Sequence, residues 1–174
     1  MVGNLIKGKM KIGILVNDLD SEKTSYTTTR IATTGTNLGH EVWYISVGDL
    51  AYDQDEIIKA QASKVSPRKF KSPEVYFKAI QNGKKVVQKR INLDDLDVLL
   101  LRNDPSQEPA ERAWARTVGI EFGRLAIRKG VIVLNDPNGL SNAMNKMYFQ
   151  QFPEEIRART LITRDREEIK ALRN

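Results

Sequence analysis

The chain has 174 residues, 40% of them hydrophobic and 29% charged, which suits one domain with its own core and excludes disorder throughout. It has no cysteine and a single histidine, His40, which excludes disulfides, a thiolate nucleophile and Cys- or His-rich metal sites. The formal net charge of +6 suits an anionic partner, but the cations are scattered. The denser patches, Arg68-Lys69-Phe70-Lys71 and Lys84-Lys85, read as a solvated loop and a turn, so no nucleic-acid partner is expected.

In chain order, residues 1–9 read as a leader or extension, since the first convincing strand begins at Met10, and MVGNLIKGK lacks the apolar centre of a signal peptide. No apolar run is long enough to span a bilayer, so a cytoplasmic location without membrane contact is expected. Lys11 to Val16 (KIGILV) is a short apolar run with β-branched residues and predicts a buried strand. Ser25 to Leu38 predicts a helix stopped by Gly39; its threonines make it weak on propensity and dependent on packing. Glu41 to Val47 (EVWYISV) predicts a second strand closed by Gly48-Asp49, which completes a βαβ spacing. Residues 51–93 are less regular and read as an insertion. Within them Asp53 to Ala62 fits helix or hairpin and Ser63 to Ser72 an exposed basic loop. Lys84 to Ile91 fits a strand after the Asn82-Gly83 turn.

Regularity returns with a strand at Asp97 to Arg102 (DVLLLR). Pro109 to Lys129 is the clearest helix, with Pro109 in its first turn, Gly130 past its end and Trp114, Val118, Phe122 and Leu125 as its core stripe. Val131 to Leu134 predicts another strand, Leu140 to Phe149 a helix and Thr160 to Arg164 a strand, with Asp165 capping a final helix. The expected fold is α/β: a Rossmann-like, doubly wound, mostly parallel sheet over residues 10–137, with 138–174 beginning a further unit.

Four strands end in small polar groups: Asn17-Asp18, Gly48-Asp49, Arg102-Asn103-Asp104 and Asn135-Asp136. Open α/β sheets bind ligands outside the carboxyl ends of their strands, so these groups should converge on one crevice. There Arg102 could clamp a carboxylate, and Asn17, Asp18 and Asp104 could hold amino or amide groups. The plainer reading makes Asn and Asp turn and cap residues, and gives Arg102 a structural partner in Asp104 or Asp97. Hydroxyls in Tyr26-Thr27-Thr28-Thr29-Arg30, near a helix start, would suit an anion, although a poor helix start with exposed threonines is favoured. GxGxxG and GxxxxGK[ST] loops are absent, and one histidine permits neither a Ser-His-Asp nor an HExxH arrangement. No catalytic residue and no metal ligand is assigned.

Three blocks stand in register: D-L-D-V-L-L-L-R-N-D-P, V-I-V-L-N-D-P-N-G-L-S-N-A-M-N-K-M and T-L-I-T-R-D. With the first strand and helix they resemble the amino-terminal part of prokaryotic glutathione synthetase, an ATP-grasp ligase family. The resemblance implies a preATP-grasp domain that helps bind γ-glutamylcysteine, followed by the start of the ATP-grasp region. It matches Lys146 to the family's nucleotide-phosphate lysine, and it implies ATP and magnesium as cofactors of the complete enzyme. The rest of the ligase, and possible homo-oligomer contacts, are the implied partners. The family's glycine-rich ATP loop and acidic magnesium ligands would follow Leu172, so the isolated chain is expected to be inactive. Where the family commonly reads R-K-D-P-P-F-D, this chain reads R-N-D-P-S-Q-E. That departure leaves open a related ligase acting on another carboxylate. A stand-alone structural or regulatory module derived from the domain is the other alternative.

Overall fold

The computed structural model describes residues 8–83 and 86–171. The Lys84-Lys85 patch, most of the 1–9 extension and the last three residues, over which the final helix was expected to continue, fall outside that range. The strands are β1 (Lys11–Val16), β2 (Glu41–Tyr52), β3 (Ile58–Val65), β4 (Val86–Asn92), β5 (Val98–Leu101) and β6 (Ile132–Leu134). They form one sheet in the order β4-β3-β2-β1-β5-β6. β1 is central and parallel to both β2 and β5, and β5 is parallel to β6. β3 and β4 extend the sheet antiparallel beyond β2. The architecture is α/β and Rossmann-like, and the four parallel strands are those expected from the sequence.

β1 can be apolar throughout its buried length because both of its faces are covered. Ile14 and Val16 pack with Ala32 of α1 (Thr27–Asn37) and with Tyr76 and Ile80 of α2 (Pro73–Asn82). Leu15 faces the other way, with Leu99, Leu101, and Ala115 and Ala126 of α3 (Ala115–Arg128). Each such fully buried aliphatic side chain contributes roughly 1.5–3 kcal/mol. Gly39 and Gly130, with φ of 91° and 89°, take the left-handed positions just after α1 and α3.

Several elements differ from expectation. β2 does not close at Gly48-Asp49 but runs on to Tyr52, with a register shift between Ile45 and Leu50 where it leaves β1 and continues against β3. Residues 51–93 therefore belong to the same sheet. They also contain α2, which starts cleanly because the Ser72 side chain caps Val75 and Pro73 begins the first turn. α3 starts only at Ala115, after a separate 3-10 turn at Ala110–Arg112. Trp114 is consequently 55% exposed rather than core, with the Arg112 guanidinium 5.6 Å from its ring. The fully buried face of α3 is made of Ala115, Gly119, Ile120, Gly123 and Ala126, while Val118, Phe122 and Leu125 are only partly buried. Small residues let the helix backbone approach the sheet, and the bulky stripe fills the flanks.

After β6, α4 (Pro137–Ala143) ends early and gives way to a 3-10 helix at Lys146–Gln151, in place of one helix to Phe149. No strand forms at Thr160 to Arg164. Leu161 and Ile162 are exposed, and a strand needs a neighbour to accept its ladder. Asp165 does accept from the Glu167 amide at 2.8 Å, at the start of α5 (Arg166–Ala171).

The basic loop after β3 is anchored rather than free. Asn37 at the end of α1 donates to the Phe70 carbonyl at 2.9 Å and accepts from the Phe70 amide at 2.8 Å. Phe70 is thereby buried, with its ring edge-on to Tyr76 at 5.0 Å. Removing both bonds leaves part-buried amide groups unpaired. Asn37→Ala should therefore destabilise the chain by about 1–3 kcal/mol in urea denaturation, and Arg68→Ala by less. Equal, negligible effects would show that the loop is not held this way.

Candidate functional site

β1 sends its chain to β2 on one side, while β5 and β6 lie on the other, so the direction of winding changes between β1 and β5. The carboxyl ends of two adjacent parallel strands diverge there and leave a crevice. A cleft of about 330 Å³ occupies that place, lined by Asn17 after β1, Glu22, the start of α1 at Tyr26, Thr27 and Thr28, and Arg102 and Asp104 after β5.

The walls are tied together by Asn17. Its side-chain amide donates to the Asp104 carbonyl at 2.8 Å and to Glu108 Oε1 at 2.6 Å, and its oxygen accepts from the Asp104 amide at 2.6 Å. Glu108 is 5% exposed, and Arg112 pairs with its other oxygen at 3.0 Å. Arg112 also reaches the Asn17 carbonyl, and Arg116 the Glu108 carbonyl. A buried carboxylate needs such partners. The result holds the exits of β1 and β5 in a fixed relation to the start of α3.

The four candidate substrate residues occupy different positions. Asn17 and Asp104 line the cleft with much of their hydrogen-bonding capacity engaged. The Asp104 carboxylate accepts from the Ser106 hydroxyl and amide and from the Gln107 side chain. Those bonds hold its pKa below the ordinary carboxylate value. Asp18 caps the 3-10 turn Leu19–Ser21 through the Asp20 amide and is not among the residues lining the cleft. Arg102 is the least committed: among the described residues its guanidinium makes one hydrogen bond, from Nε to Thr28 Oγ1 at 3.4 Å. Neither Asp104 nor Asp97 serves as its partner, since Asp97 accepts from the Lys11 amide instead. Lys146 is exposed, lies in the 3-10 helix after α4 and does not line the cleft.

Two expected groups do not converge here. Gly48-Asp49 sits within β2, with Trp114 the nearest side chain to Gly48. Asn135 reaches back to the Leu101 carbonyl at 3.5 Å, and Asp136 caps α4 through the Gly139 amide at 2.7 Å. Thr28 and Thr29, expected to be exposed, are buried: the Thr29 hydroxyl donates to the Lys23 carbonyl and holds the loop before α1. Asn103 packs against α3, where a Cβ on Gly119 would stand 2.5 Å from its Oδ1.

Glu22 carries no signal in the sequence, being one acid in a polar loop. In the fold it is 9% exposed and lines the cleft, with no hydrogen-bond partner for Oε2. Burial pushes its pKa up to about 7, against the opposing pull of the Arg102 charge. Among the described residues, no group of three or more His, Asp or Glu is placed to hold a metal ion, and no helix is long and apolar enough to cross a membrane.

The raised Glu22 value makes stability pH-dependent. The folded chain binds this proton more tightly than the unfolded one, so stability is lost as pH rises from the ordinary value of 4.5 through about 7. Glu22→Gln should leave stability at pH 5 nearly unchanged and raise it by on the order of 2 kcal/mol at pH 8. Urea denaturation at both pH values checks this; an equal effect at both would refute it.

Comparison with known proteins agrees with this fold. A family model described as prokaryotic glutathione synthetase, N-terminal domain, matches residues 10–141. A glutathione synthetase of Vibrio parahaemolyticus is 30% identical over 135 residues, covering 78% of this chain and 38% of the relative. One of Brucella melitensis is 26% identical over 161 residues, covering 92% of this chain and 46% of the relative. One of Bradyrhizobium diazoefficiens is 38% identical over 86 residues, or 49% of this chain and 25% of the relative. The chain thus spans less than half the length of these relatives.

Proposed function

The chain belongs to the family of prokaryotic glutathione synthetase N-terminal domains, and from that premise we propose that its cleft binds the peptide substrate of an ATP-dependent carboxylate–amine ligase. In the complete enzyme that substrate is γ-glutamylcysteine, whose cysteinyl carboxylate is phosphorylated by ATP and then attacked by the amine of glycine. Residues 10–137 are the substrate-side domain, and 138–174 open the ATP-binding region.

The observation that carries this reading is Arg102. It stands at the end of β5, across from the start of α1, with only one long hydrogen bond to its guanidinium. A planar fork of donors beside a helix N-terminus suits a carboxylate. Asn17 and Asp104 shape the wall that holds it, and Asp18 sets the loop leading to Glu22.

ATP and magnesium supply phosphoryl transfer in the complete enzyme of the family. Lys146 is the residue of this chain assigned to a nucleotide phosphate, as a mobile point charge suits that role. Phe149, Phe152 and Ile156 are exposed after α4 and form the contact with the rest of the ligase. A cytoplasmic location accompanies this function.

Arg102→Ala should weaken γ-glutamylcysteine binding by about 10–100-fold, the loss expected for hydrogen bonds to a charged group. Its melting temperature should stay within a degree or two of the parent chain. Titration calorimetry checks the first and a thermal melt the second. Unchanged affinity in a folded variant would remove Arg102 from the site.

A further inference from the structure

Carboxylate binding by Arg102 leaves the buried acid of the cleft without a role. Glu22 is nine-tenths buried, lines the same cleft as Arg102, and has no hydrogen-bond partner at Oε2. Burying a carboxyl without a partner is unfavourable, so the fold bears a cost at this point that its own contacts do not offset. Arg102 acts on its charge from nearby but does not hydrogen-bond it.

The part of the lining where α1 begins has the reverse character. Tyr26, Thr27 and Thr28 line the cleft where α1 begins, and the N-cap residue Tyr26 makes no side-chain cap bond. The first amides of this 11-residue helix therefore lack an internal acceptor, and they carry the positive end of its dipole. With Arg102, which donates to Thr28, they bring positive charge to the same cleft that Glu22 lines. A ligand carrying only a carboxylate would use that charge and leave Glu22 unmatched. A ligand with an ammonium next to its carboxylate would use both.

We infer that the cleft recognises the zwitterionic α-amino acid head of its ligand, with the carboxylate held by Arg102 and the α1 amides and the ammonium held by Glu22. This rests on the peptide-binding reading and deepens it by giving the substrate a direction. In γ-glutamylcysteine the α-amino and α-carboxylate groups are both free only at the γ-glutamyl end. That end occupies the cleft, and the cysteinyl carboxylate extends out of it toward the phosphoryl donor. Glu22 is then the residue that distinguishes a γ-glutamyl peptide from a plain dicarboxylic amide of the same length.

The test is titration calorimetry of the 174-residue chain and of Glu22→Gln, each with γ-glutamylcysteine and with glutarylcysteine, which lacks only the α-amino group. The parent chain should bind γ-glutamylcysteine at least tenfold more tightly than glutarylcysteine. Glu22→Gln should lose that preference while binding glutarylcysteine as well as the parent does, which also shows that it is folded. Equal affinities for the two peptides in the parent chain would overturn the inference and leave the peptide-binding reading standing. A preference that survives in Glu22→Gln would overturn the role of Glu22. Binding of neither peptide by the parent chain would overturn both readings.

Discussion

Everything at the cleft depends on how a carboxylate is buried beneath it. Glu108 sits in the wall between the exit of β5 and the start of α3, and an ion in that position must be matched on each oxygen. Arg112 matches one and the Asn17 amide the other. Because Asn17 follows β1 and Glu108 follows β5, satisfying this charge also joins the two strand exits whose separation makes the crevice. The rest of the Asn17 amide is engaged with the backbone of Asp104, so the loop carrying Arg102 is held from both directions. The cleft is rigid where its charges are satisfied. Arg102 and Glu22, which that network leaves out, line the cleft together, near enough for the arginine charge to act on the carboxyl.

This division explains why two kinds of polar residue share one site. Asn17, Asp104 and Glu108 are engaged with the protein itself. Arg102 and Glu22 lack strong partners, and lack of a partner is the physical sign of readiness for one. Asn17 and Asp104 line the cleft and also make the hydrogen bonds that tie its wall together. Buried Glu22, on a loop pinned by the Thr29 hydroxyl to the Lys23 carbonyl, looks ordinary by type and is unusual only by environment.

Most of the parallel framework was legible in the sequence. KIGILV, EVWYISV, DVLLLR and VIVL are runs whose apolar continuity demands cover on both faces, and each lies where the runs predict. Arg102 was legible because a charged fork at the end of such a run is conspicuous. What could not be read depended on partners far away in the chain. β2 continues past Gly48-Asp49 because β3 offers it a ladder, and Thr160 to Arg164 forms no strand because no ladder is offered. Trp114 is exposed because α3 begins one residue after it, a matter of local geometry that periodicity does not record. Glu22 was invisible for the same reason: its environment comes from burial and from Arg102, a residue 80 positions along the chain.

Gly119 and Asn103 illustrate a different kind of dependence. The asparagine side chain occupies the space that any side chain at 119 would need. Position 103 is also where this chain departs from the lysine common in its family. Two sites separated by a loop and a helical turn thus share a single volume, and neither can be enlarged unless the other gives way. Variation where this loop meets α3 should be inherited in pairs, so exchanging residue 103 alone between relatives would transplant half of a fitted part.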